Sequence, residues 1–170
     1  MSLLSRSINA TGAVCLLTLL LFHHGLAHAE EKIGLAISIR NDVTGKLSAS
    51  TVVINDGEDV YGKEIVKTGA NSAAKLVFKD STNLSIGPSA SVTLDKFVFA
   101  GADDYKKAAF TLVKGGFRFV TGHSDKRAYE IKTPLSVLSV RGTIVDIFSQ
   151  PTKTIYSFQD GQGQICRLVD

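Results

Sequence analysis

The chain has 170 residues, 44% of them hydrophobic, and its formal net charge at pH 7 is only +3. This length fits one domain with a hydrophobic core of its own. Because the charge is small and evenly spread, it gives no basis for a nucleic-acid partner, and we predict none.

The first 29 residues have the pattern of a secretory signal peptide. Arg6 is the only charge before the apolar run 12–22, and Ala27-His28-Ala29 supplies the small residues of a cleavage site. The run is shorter than the roughly 20 apolar residues that span a bilayer. We predict a cleaved signal peptide over 1–29, a periplasmic or secreted chain that begins at Glu30, and no membrane span after cleavage. An uncleaved membrane anchor is the alternative.

Beyond residue 30 the sequence alternates between apolar and polar residues with a period of two. Residues 30–56 predict the N-terminal strands of the mature domain, and residues 57–170 predict its main β-domain, with strands punctuated by Gly, Asp, Ser and Asn. No long helical pattern is present. We predict an all-β fold of about ten short strands. The sequence leaves open whether these form a compact β-roll or solenoid-like module or a sandwich-like one.

Residue types that carry catalysis and metal binding are scarce. Cys15 and three of the four histidines lie within 1–29, which leaves His123 and Cys166. This pair cannot build a His/Cys metal cluster, and one cysteine cannot form an intrachain disulfide. His123 lies in a polar turn, where we expect a surface position. We predict no enzyme activity, catalytic residue, metal site or cofactor, and leave open whether Cys166 pairs between chains.

Arg141 is the most unusual residue, because it interrupts the apolar stretch "IKTPLSVLSVRGTIVDIF" (131–148). Desolvating a guanidinium is costly, so a buried arginine needs a partner. The structural interpretation pairs Arg141 with Asp146 or with strand-end carbonyls. The functional interpretation makes Arg141, Gly142 and Thr143 the candidate binding residues for an anionic ligand. We favour the structural interpretation, and we expect Phe117, Phe119 and Tyr129 to be core aromatics rather than a sugar-stacking platform.

Several motifs in order resemble the FecR-like domain of exported bacterial proteins, over roughly residues 57–168. The most specific are Thr-Gly-x-x-Ser (68–72), Phe-Lys-Asp-Ser-Thr-x-Leu (78–84), Gly-Phe-Arg-Phe-Val-Thr-Gly (116–122), Thr-Pro (133–134) and Val-Arg-Gly-Thr (140–143). The resemblance implies a compact all-β module outside the cytoplasm. Its namesake is a membrane-spanning regulator whose cytoplasmic head controls a sigma factor in response to ferric citrate. Since only residues 1–11 precede the apolar run, we expect no such head here.

Taken together, these features predict a non-catalytic, exported binding or interaction module of the bacterial cell envelope. Its expected partner is an envelope protein or glycan. The alternative is an accessory in envelope or iron-uptake signal transduction. A hydrolase acting on envelope glycans is disfavoured, because no pair of carboxylates suited to acid–base catalysis is evident in the sequence.

Overall fold

A computed structural model describes residues 30–169 of the chain, so the predicted signal peptide lies outside the described residues. Within this part the chain is all-β, as the alternating sequence predicts. Twelve strands join in a single curled sheet: β1 (Lys32–Arg40), β2 (Val43–Leu47), β3 (Ser50–Val53), β4 (Asp59–Tyr61), β5 (Ile65–Thr68), β6 (Ala73–Phe78), β7 (Asn83–Ile86), β8 (Ser91–Phe99), β9 (Tyr105–Val120), β10 (Tyr129–Lys132), β11 (Ser136–Gln150) and β12 (Lys153–Arg167).

Three of the strands are much longer than the short strands expected from the sequence: β9, β11 and β12 have 16, 15 and 15 residues. The glycines taken as breaks in the sequence bend these strands without ending them. Gly115 in β9 has φ +113°, and a Cβ there would lie 2.3 Å from the Cβ of Ala90. Only glycine fits this close approach, so β9 turns there and continues pairing.

Strand β9 organises the sheet, because four other strands pair with it. Along one edge it pairs with β8 and then β7, and along the other it pairs with the parallel strand β10 and then with β11. From β7 the sheet continues through β6 and β1 to β4, and from β8 through β5 and β2 to β3. Strand β12 pairs with β11 alone. The sheet therefore ends at β3, β4 and β12.

The inner face of the curled sheet encloses one hydrophobic core, to which alternate residues of each strand contribute. Aromatic rings form its centre, where Phe119 lies 5.2 Å from Phe110 and 5.8 Å from Tyr129, centroid to centroid. Phe117, Phe119 and Tyr129 are 4%, 0% and 2% exposed. The prediction that these three are core aromatics is confirmed, and they cannot form an exposed stacking platform.

A buried carboxylate, Asp80, fixes the turn between β6 and β7. It is fully buried, and its Oδ1 and Oδ2 accept hydrogen bonds from the Thr82 backbone N–H (2.9 Å) and the Tyr129 hydroxyl (2.5 Å). Its backbone carbonyl accepts the His123 N–H at 2.9 Å. Buried polar groups of this kind are tolerated only when hydrogen-bonded. Asp80 thus ties the Phe-Lys-Asp-Ser-Thr turn to the segment after β9 and to β10.

Candidate functional site

Arg141 lies on the outer face of β11, directly before a bulge in this strand. The pairing of β11 with β12 shifts between Arg141 and Ile144, and Gly142 there has φ +60°. Val140 and Thr143 are 1% and 2% exposed, whereas Arg141 and Gly142 are exposed. The expectation that Arg141 is a buried structural charge is therefore wrong, because Leu138 and Val140 face inward and the alternation of the strand places Arg141 on the opposite face.

The expected partner of Arg141, Asp146, is paired with Arg118 instead. These two residues lie opposite each other on β11 and β9. The guanidinium donates from Nε to Oδ1 (2.6 Å) and from Nη2 to Oδ2 (2.7 Å). This two-point hydrogen bonding lowers the pKa of the Asp146 carboxyl below its usual value. The strand register therefore pairs Asp146 with Arg118 and not with Arg141.

The third candidate residue, Thr143, holds the bulge in shape rather than facing a ligand. Its hydroxyl donates to the Gln162 carbonyl at 2.7 Å and accepts the Arg141 N–H at 3.3 Å. Its own N–H donates to the Thr121 hydroxyl at 2.9 Å. Since Thr143 is buried and its hydroxyl is engaged, it cannot reach a ligand at the surface. Its hydroxyl accepts the Arg141 N–H, so Thr143 helps to position Arg141.

Arg141 lies in a basic concavity of about 390 Å³, called here the Arg141 concavity. Three cationic side chains contribute to it, Lys126, Arg127 and Arg141. The other lining residues are uncharged: Ser139, Val140, Gln162, Gly163 and Gln164. A Cβ on Gly142 would lie 3.8 Å from the Cε of Lys126, so that side chain passes over the bulge. The fold thereby brings the 125–128 turn and the bulge of β11 together, which the sequence did not predict.

The charges of the Arg141 concavity are largely uncompensated. Among residues 30–169, neither Arg141 nor Lys126 forms an ion pair, and Arg127 pairs only with Asp125 at 3.5 Å, with both side chains well exposed. Exposed pairs of this kind are weak and screened by salt. Three cations with one partly engaged carboxylate therefore leave a local positive potential. Guanidinium groups bind carboxylates and phosphates with two parallel hydrogen bonds, so the concavity has the chemistry of an anion site.

A second surface feature is a groove of about 690 Å³ on the outer face of the sheet. Polar residues from neighbouring strands form a ladder across its floor, because they are direct cross-strand partners: Ser38, Lys75, Ser85, Arg118 and Asp146. The period-two alternation of the sequence indicates that each of these residues faces outward. It does not indicate which of them are cross-strand partners. The register of five strands decides that.

The histidine and the cysteine within residues 30–169 both lie at the surface. His123 is exposed, and its Nδ1 lies 3.0 Å from Asp104 Oδ1 at the surface. Within 30–169, no group of three His, Cys, Asp or Glu side chains is placed to hold a metal ion. Cys166 is exposed on β12. None of these residues contributes to the Arg141 concavity.

No curated protein and no solved structure matches the chain. None of the described residues forms a helix long and apolar enough to cross a membrane. A family model described as "FecR protein" matches residues 64–162, which span β5 to most of β12 and include Arg141, Gly142 and Thr143. This match covers more than half of the chain, so the protein belongs to the FecR family, a regulatory signalling family of the bacterial envelope that is not known for enzymatic activity.

Proposed function

We propose that the protein is a non-catalytic binding module of the bacterial cell envelope, and that the Arg141 concavity receives an anionic group of its partner. The observation that supports this most is the exposed arginine without an ion pair among the described residues, beside two further cations. A core role for Arg141 would have required burial and a partner. The predicted signal peptide adds the export that such a role needs.

The partner is an envelope protein or a glycan, and the two share the chemistry that the concavity would recognise. Acidic side chains of a protein and carboxylates or phosphates of a glycan are both planar or tetrahedral oxyanions. The concavity is lined mainly by cationic and polar residues, which favours one charged group over a largely hydrophobic ligand. Binding of this kind should weaken as ionic strength rises, because exposed charges are screened.

A pull-down with the chain from Glu30 onward tests this proposal. Envelope extract is passed over immobilised protein, before and after protease treatment, so that protein and glycan partners are distinguished by mass spectrometry. We expect Arg141→Gln to lose the captured partner. The matched control is Arg40→Gln, which removes an equally exposed arginine from β1, away from the concavity. Equal capture by the Arg141→Gln and Arg40→Gln variants would contradict the proposal.

The alternative function is an accessory in envelope or iron-uptake signalling, and membership of a regulatory family supports it. The two functions differ in what a deletion does. If the protein serves only as a binding module, ferric-citrate-induced expression of transport genes is unchanged in the deletion strain. Loss of this induction in a transcript measurement, restored by the intact gene, would put the signalling role first.

A further inference from the structure

Within residues 30–169, the outer edge of β12 is a long strand edge without a partner. Strand β12 has 15 residues and pairs with β11 alone, while the other two terminal strands, β3 and β4, have only 4 and 3 residues. At roughly 3.3 Å per residue, the free edge is about 50 Å long. Every second residue of such an edge presents its N–H and C=O outward, ready to pair with another strand.

This edge lacks most of the features by which monomeric proteins block edge-to-edge pairing. It has no proline, and its charges are confined to Lys153, Asp160 and Arg167. Its pairing with β11 is irregular at two places, between Gln162 and Asp160, where Gly161 has φ +78°, and between Asp160 and Phe158. Natural edges are usually short or blocked by charges and prolines. A 15-residue strand with three charges is poorly protected.

The hydrophobic core is also left open along this edge. Phe158 and Ile165 pair with Val145 and Leu138, so all four face the inside of the sheet. Val145 and Leu138 are fully buried, whereas Phe158 and Ile165 are 38% and 48% exposed. The inner row of the sheet thus stops at β12 with apolar side chains that no further strand covers.

We propose that two copies of the chain pair through β12, antiparallel and about a twofold axis perpendicular to the sheet. An isolated peptide strand added to β12 would only move the free edge to its own far side. A second copy closes both edges at once, since the far side of its β12 is already paired with β11. The twofold axis also keeps inner face with inner face, so the open row of one copy meets the open row of the other.

The pairing through β12 does not depend on the proposed function, but it would place two Arg141 concavities in one dimer. Arg141 lies opposite Gln162 of β12 and on the outer face. Because the twofold axis preserves the faces, the two Arg141 concavities lie on the same face of one continuous sheet. A partner that carries repeated anionic groups would then bind both, with an avidity that exceeds the affinity of either.

Sedimentation of the chain from Glu30 onward over a range of concentrations tests the pairing. We expect a monomer–dimer equilibrium whose dissociation constant rises at least about tenfold for Ile165→Lys, since a lysine there places two ammonium groups beside the shared inner row. The matched control is Val52→Lys on β3, another exposed apolar residue on a terminal strand. It should leave the dissociation constant unchanged.

A spin label on Cys166 gives a second measurement without altering the edge row, because Cys166 is exposed, lies in β12 and is the only cysteine after residue 29. We expect one defined distance between labels in the dimer, lost in Ile165→Lys. A monomer at every concentration, or a dimer that Val52→Lys and not Ile165→Lys dissociates, would overturn the proposal. Arg141→Gln should leave the dimer intact, so failure of the binding proposal is distinguished from failure of the pairing.

Discussion

Replacing Tyr129 by phenylalanine tests whether the buried carboxylate of Asp80 stabilises the fold through its hydrogen bonds. The substitution keeps the ring that packs against Phe119 and removes only the hydroxyl that donates to Asp80 Oδ2. Asp80 is fully buried, and among residues 30–169 no lysine or arginine pairs with it. One of its oxygens is thereby left without a donor inside the core.

The loss of a hydrogen bond to a buried charge costs about 2–3 kcal/mol. For about 140 residues, an unfolding entropy of roughly 2.1 cal/mol/K per residue makes this a fall of about 7–10 °C in melting temperature. The control is Tyr61→Phe, since the Tyr61 hydroxyl forms no hydrogen bond with any described residue; its melting temperature should change by less than about 2 °C. The assay is thermal unfolding followed by circular dichroism at neutral pH. Equal melting temperatures for the two variants would refute the reasoning.

Three further predictions follow from the same structure and sequence. Burial raises the pKa of Tyr129 from its usual 10 to about 12 and also raises the pKa of Tyr105, so the folded state holds these protons more tightly than the unfolded state does. This contribution to the free energy of unfolding is complete below pH 10 and is lost as the pH rises through 12. Denaturant titrations at alkaline pH should therefore show a smaller loss of stability for Tyr129→Phe. Arg141→Ala should change the free energy of unfolding by no more than about 0.5 kcal/mol, because the side chain is exposed and unpaired among the described residues, and a melting temperature lowered by 10 °C would restore the buried interpretation. N-terminal sequencing of the protein recovered from outside the cytoplasm should begin at Glu30, and a membrane-bound chain that retains residues 1–29 would favour the anchor.

The features of the fold that could be predicted are those that depend on neighbouring residues in the sequence. Alternation along the chain indicated strands and identified Phe117, Phe119 and Tyr129 as core residues, because side chains on successive strand positions point to opposite faces. The glycines at 115–116 and at 142 misled the expected strand lengths, because glycine occurs both where a strand bends and where a strand ends. The continuation of pairing through a bend depends on neighbouring strands, which lie far away in the sequence.

For the candidate site, the sequence identified Arg141 but assigned it to the wrong environment. Its apolar neighbours suggest burial, but Leu138 and Val140 face the core, so the alternation of β11 places Arg141 on the outer face. The two other cations of the concavity come from the turn at 125–128, which no local signal connects with β11. Thr143 was misassigned because it is buried, with its hydroxyl bound to the Gln162 carbonyl of β12 and its backbone N–H bound to Thr121 after β9.

The sequence by itself determined that this is an all-β protein of the FecR family, with an aromatic core and with one histidine and one cysteine after residue 29. These properties rest on composition, on period-two alternation and on contiguous motifs, all of which are local. Only the tertiary structure decided that Asp146 pairs with Arg118, that Arg141 faces outward beside Lys126 and Arg127, and that β12 ends the sheet with a free edge. Each of these depends on strand register and strand order, because a shift of one residue reverses the face of every side chain in a strand.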